Sequence, residues 1–200
     1  MRTVEFTAMK DGTKDEYLFL KPLEDEHIKG TAQRVLRELR LQEEETLPGY
    51  KISRLHHGLQ SATRAFNEGA DIDWVVGTLL HDIGDGLAPQ NHDRFAAEIV
   101  RPYLREEVTW TVEHHASFQM YYYADHYGWN QHEREKYRGS PYFQSCVDCC
   151  ERWDQSSFDP AYETKPLSFF EPMVREVFAR RAHDPAVTRK GVVKGLPPIA

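Results

Sequence analysis

No stretch of this chain approaches the ~20 consecutive apolar residues of a membrane span, and its first twenty residues lack the apolar core of a signal peptide. No run of Lys or Arg exceeds two, and 32 acidic residues against 25 basic give a formal net charge of −7. Nucleic-acid surfaces need a basic stripe to neutralise phosphates, so no nucleic-acid partner is expected. A small anionic organic substrate in a locally basic pocket is compatible with this balance. Cysteine is scarce, with three residues, Cys146, Cys149 and Cys150, in one short run. Zinc binding through Cys146 and Cys149 would need a second such pair, and there is none. Buried or inert helix thiols are expected, in keeping with a reducing, cytoplasmic setting.

Histidine, by contrast, is plentiful. Eight of its ten copies gather at 56–57, 81, 92, 114–115, 126 and 132, whereas most of the N-terminal third lacks them. Two hundred residues are enough for one domain with a core of its own. Residues 3–20 alternate apolar and polar side chains around Lys10-Asp11-Gly12-Thr13, which predicts a small β-hairpin. From there the pattern is helical. Ile28, Ala32, Val35, Leu36 and Leu39 mark a helix over 24–41, and Leu47-Pro48-Gly49 marks a loop. A helix over 52–66 follows, then one capped by Asp71 or Asp73 whose run from Trp74 to Leu80 is apolar enough to be central. Further helices are expected from Asn91 to about Leu104 and over 106–126, 131–138, 141–154 and 167–181. The expected class is all-α with an N-terminal β-hairpin. Residues 1–23 form the hairpin extension, 24–183 the helical domain and 184–200 a loose tail.

His81-Asp82 ends the most apolar helix. Neighbouring residues point ~100° apart on a helix, but at a relaxed end both can turn toward one point. His57 lies upstream on its own helix, His92 opens another just after a Gly/Pro loop, His115 sits mid-helix, and Asp154 closes a helix with an apolar face. Four imidazoles and two carboxylates from five helices suit iron, manganese or another borderline cation, and helical bundles build such sites from inward-facing side chains. Asp82 supplies a carboxylate able to bridge two ions. His126 and His132 read as ordinary surface or loop residues.

The string His57-x-x-Gln60-Ser61-Ala62, Leu79-Leu80-His81-Asp82-Ile83-Gly84, Asn91-His92-Asp93, His114-His115 and Trp153-Asp154 resembles the HD-domain superfamily. Within it, the string is similar to the mixed-valent di-iron oxygenases, in particular those that cleave hydroxylated phosphonates and, more distantly, myo-inositol oxygenase. The resemblance covers roughly residues 50–155. It implies that His57, His81, Asp82 and Asp154 hold one iron and Asp82, His92 and His115 the other, as an Fe(II)/Fe(III) pair. It selects His57 and His115 over His56 and His114. The implied reaction uses O2 as co-substrate to break the C–P bond of a small 1-hydroxyphosphonate, giving a carboxylic acid and phosphate. Dinuclear HD phosphohydrolases share the order of ligands, so a metal-dependent hydrolase of a small phosphate ester or nucleotide is the alternative. A non-catalytic sensor is a third reading, which six intact ligands oppose.

Two positions depart from the relatives. Asp85 stands where the inositol enzyme has a substrate-positioning Lys, which argues against inositol. Tyr50 stands where a phosphonate-cleaving relative has a Glu that closes over the free site, and a phenolate there could act as a displaceable lid ligand. Gln60, Asp85, Gln119, Tyr122, Tyr123 and Arg138 are the expected substrate residues. Gln119 lies one turn beyond His115, and the tyrosines could hold an amino or trimethylammonium group by cation–π attraction. Arg138, with Arg134 near it, could fork onto a phosphonate.

Overall fold

The computed structural model describes residues 2–44 and 49–199; the expected loop residues Leu47 and Pro48 lie outside them. Nine α-helices follow in order among the described residues: α1 (Lys14–Lys29), α2 (Thr31–Leu41), α3 (Arg54–Asn67), α4 (Ile72–Leu80), α5 (His92–Val100), α6 (Glu106–Tyr123), α7 (Phe143–Cys149), α8 (Leu167–Phe178) and α9 (Pro185–Thr188). No strand occurs among the described residues, so the fold is all-helical, and none of these helices is long and apolar enough to cross a membrane.

The expected N-terminal hairpin is therefore corrected to a helix. Thr13-x-x-Glu16 is a capping box: Glu16 N donates to Thr13 Oγ1 (3.3 Å) and Thr13 N to Glu16 Oε2 (2.9 Å). That box satisfies two N–H groups at the start of α1, those of Thr13 and Glu16, without needing a partner strand. The extended residues before it lie along the helix instead of pairing with a strand; Phe6 stacks on Tyr17 at 5.4 Å. Hydrogen bonds from the backbone of Thr13 and Glu5 lower the Glu16 carboxyl from 4.5 to about 2. Its contribution is thus complete above 4.5 and is lost as pH falls toward about 2. The amide shift of Thr13 should titrate with a midpoint near 2 rather than 4.5.

The helix expected over 24–41 is divided at Gly30, where α1 ends and α2 begins. Asp71 caps α4 by accepting from Trp74 N (3.2 Å), and every residue from Asp73 to Leu80 is buried. Helix α4 is the axis of the molecule. Helices α3, α6 and α8 pack on it, α5 packs on α6, and α2 packs on α8. The core joins Leu36, Ala62, Val76, Leu80, Trp153 and Phe170. Cys146, Cys149 and Cys150 are buried free thiols, and burial pushes each above the usual thiol value.

Close approach of α3 to α4 depends on Gly58. A Cβ there would lie 2.8 Å from the Leu79 carbonyl oxygen, a backbone atom that cannot swing aside. Gly58→Ala should cost ~1–3 kcal/mol, seen as a lower urea midpoint at unchanged slope. The segment expected to be a loose tail is tied down. Glu107, fully buried at the start of α6, accepts from Lys194 N (3.1 Å) and Gly195 N (2.8 Å), and Trp74 Nε1 donates to Gly195 O (3.0 Å).

Candidate metal centre

Five elements deliver six side chains to one place. Ser53 caps α3 by accepting from His56 N (3.1 Å), which sets His57 in the first full turn. His81 and Asp82 leave the C-terminal end of α4, His92 is the first residue of α5, and His115 lies within α6. After α7 the helix widens: Gln155 N donates to Cys150 O (3.0 Å), five residues back. Such wide turns recur at functional sites. This one carries Asp154 inward.

Each of the four imidazoles spends its Nδ1 on a backbone carbonyl. His57 reaches Ser157 O (2.9 Å), His81 Thr78 O (2.7 Å), His115 Val112 O (2.7 Å) and His92 Pro89 O (3.1 Å). Donation from Nδ1 fixes the tautomer and leaves the Nε2 lone pair facing inward. All four Nε2 atoms then converge on Asp82, whose two oxygens face different groups. Oδ2 lies 3.5 Å from both His57 and His81, while Oδ1 lies 3.2 Å from His115 and 3.3 Å from His92. Asp154 Oδ1 closes the first group, 3.2 Å from His57 and 3.4 Å from His81.

The donor set fits cations. His57 Nε2 and His81 Nε2 are 3.1 Å apart, and two lone pairs at that distance repel unless a positive charge sits between them. Two metal–nitrogen bonds of about 2.0–2.1 Å meeting near a right angle span about 3 Å. Asp154 Oδ2 is buried without a hydrogen-bond partner among the described residues. The trios His57/His81/Asp154 and His81/Asp82/His115 each place their ligand atoms within 4.8 Å of one another and could hold a metal ion. Burial alone would lower the imidazole of His57, but Asp154 and Asp82 outweigh it and hold its pKa above the usual value. The charges of Asp82 and Asp154 do the same for His81. Burial would raise Asp82 and Asp154, yet facing imidazoles hold both well below the carboxylate range. A field that concentrates protons in this way also attracts metal cations.

Around the cage lies a cavity of about 650 Å³. Its lining includes Tyr50, Gln119, Tyr122 and Tyr123, as well as Arg54, Tyr127, Trp129, Gln155 and Phe158, which sequence reasoning missed. Tyr50 is half-exposed at the rim, its ring 5.6 Å from that of Phe158, which in turn stacks on His57 at 4.4 Å. Arg54 stands three residues before His57 on the same helical face, a spacing that could have revealed it. Its Nη1 donates to Asp82 Oδ2 (3.2 Å) and its Nε to Asp85 Oδ2 (2.5 Å). Tyr127 and Trp129 flank a left-handed Gly128 (φ 72°), and both line the cavity.

Three expected substrate residues are placed otherwise. Gln60 is fully buried and donates to Asp159 O (2.7 Å), bracing the segment behind Asp154 rather than facing the cavity. Asp85 is held by Arg54 and lies behind it, absent from the cavity wall. Arg138 is exposed and pairs with Glu135 at a distance from the cage. Helical spacing alone does not tell which side of a short 3₁₀ turn such as 133–137 meets solvent.

No curated protein matches the chain. Residues 25–141 match the HD domain, a stretch that contains five of the six cage residues and stops short of Asp154. That match, over more than half of the 200 residues, makes the chain a member of the HD-domain family.

Proposed function

We propose that the chain is a di-iron oxygenase that uses O2 to cleave the C–P bond of a small 1-hydroxyphosphonate bearing an organic ammonium group. HD domains are typically metal-dependent enzymes and include both hydrolases and oxygenases. The observation that carries the proposal is the division of Asp82, one oxygen toward His57 and His81 and the other toward His92 and His115. One carboxylate can thereby join two ions, with Asp154 completing the first. Two irons bound there would supply O2 binding and one-electron redox chemistry. The overall change, hydroxyphosphonate and O2 to carboxylate, hydrogen phosphate and a proton, balances with no external reductant.

The protein's own side chains hold and orient the substrate. Arg54 is the one Lys or Arg among the residues lining the cavity, so it is the natural anchor for a phosphonate oxygen next to the cage. Tyr122, Tyr123, Tyr127 and Trp129 offer ring faces to an ammonium group, each contact worth ~0.5–2 kcal/mol. Phe158 covers His57 and keeps water from that edge of the cage. Hydrolysis of a nucleotide polyphosphate would call for several cationic donors, and this wall has one. Iron-loaded protein mixed with 1-hydroxyphosphonates in an oxygen electrode should consume O2 and release phosphate in equal amounts. Phosphate release from esters under argon would contradict the oxygenase reading and favour hydrolysis.

A further inference from the structure

At the opposite end of α4 from the cage lies a second cavity, of about 280 Å³. Asp71 and His81 are ten residues apart, so the two sites are separated by about 15 Å along the helix. Arg105, Arg180, Arg189 and Lys194 line this cavity, with Asp71 and Asp73 the only carboxylates among its lining residues. Arg105 also gives its Nε to the buried Glu107 (3.1 Å), which leaves four cations to three carboxylates in a chain of net charge −7.

Both lining carboxylates are already engaged. Asp71 receives Arg105 Nη1 on both oxygens (2.8 and 2.9 Å), as well as Lys194 Nζ (3.1 Å). Asp73 receives Arg180 Nη1 (2.7 Å) and Arg105 N (3.1 Å). Donors are left over. Arg105 has a side chain only 3% exposed, and its Nη2 is buried with no partner among the described residues. Among the described residues Arg180 uses Nη1 alone, and Arg189 gives only its Nε, to Ala186 O (3.1 Å). Arg189 also adopts a left-handed backbone (φ 42°), a strained conformation for a residue with a side chain.

We propose that this cavity binds a small tetrahedral oxyanion, inorganic phosphate or a phosphate monoester. The ligand is chelated between guanidinium donors of Arg180 and Arg189 and the Lys194 ammonium. Forked guanidinium groups match such oxygens in geometry as well as charge. Three of the four cations belong to the segment after α8 that closes back on Glu107, so the anion also clamps that segment onto α4 and α6.

Isothermal titration of the metal-loaded protein with inorganic phosphate at constant ionic strength tests the site. Arg54→Met separates it from anion binding at the cage, and Arg189→Ala with Lys194→Ala removes two exposed donors. A phosphate-binding component should persist in Arg54→Met and weaken about tenfold or more in the double variant, with Arg189→Ala alone intermediate. The phosphate-induced rise in melting temperature should shrink in parallel. A double variant that binds and melts as wild type does, or no surviving component in Arg54→Met, overturns the proposal. Glycerol phosphate binding more tightly than phosphate would identify a monoester as the ligand; weaker binding would identify the free ion.

Discussion

Asp82→Ala should abolish the centre, lowering bound iron from two per chain to less than one and turnover by more than about 10³-fold. Loss of a partner behind a ligand already costs about 10–100-fold in such sites, and Asp82 is itself within 3.5 Å of all four Nε2 atoms. Without it, two cations would face each other with no shared negative charge, and Arg54 would keep Asp85 as its one carboxylate partner beside them. Asp82→Asn separates charge from shape. It keeps an oxygen and the bond from Gln42 Nε2 to the Asp82 carbonyl (2.8 Å), so helix content should be preserved while metal is still lost. Iron retained at two per chain in either variant would contradict the proposed bridging role of Asp82.

Arg54→Met should lower kcat/KM by ~10²-fold while leaving iron at two per chain, the reverse of the Asp82 pattern. Truncating one member of a buried hydrogen-bonded charge pair costs about 2–5 kcal/mol, and Arg54, 17% exposed, holds both Asp82 and Asp85. Most of the loss should fall on KM if Arg54 is the proposed anchor for the anionic end of the substrate. Arg54→Lys keeps the charge without the fork and should lie between. Unchanged KM in Arg54→Met, measured by O2 uptake, would show that the phosphonate is held elsewhere.

Much of the cage was legible in the residues because its chemistry is concentrated in rare types. Histidine at the ends and middles of helices, together with an His-Asp pair after the most apolar run, leaves few ways to satisfy so many buried imidazoles. The central position of α4 followed from the same run, Trp74 to Leu80. What stayed hidden was set by geometry with no compositional mark. The wide turn at Cys150 changes which way Asp154 points, yet its residues look like ordinary helix. The N-terminal segment had two competing signals, alternation around Asp11-Gly12 and the Thr13/Glu16 box. The box prevails because its hydrogen bonds are local and need no partner strand. Gln60 and Arg138 were chosen by spacing and charge, but the segment around Asp159 and the pairing with Glu135 decide where they point. Trp129 and Phe158 come to the cavity through loops, where periodicity carries no information.

Metal analysis of protein reconstituted with ferrous iron and exposed briefly to air is the most direct test of a carboxylate-bridged pair in this cage. Two irons per chain, with an electron paramagnetic resonance signal of a coupled Fe(II)/Fe(III) pair that disappears in Asp82→Asn, is the predicted result. One iron per chain, or a signal from isolated ferric ions that survives the substitution, would contradict it.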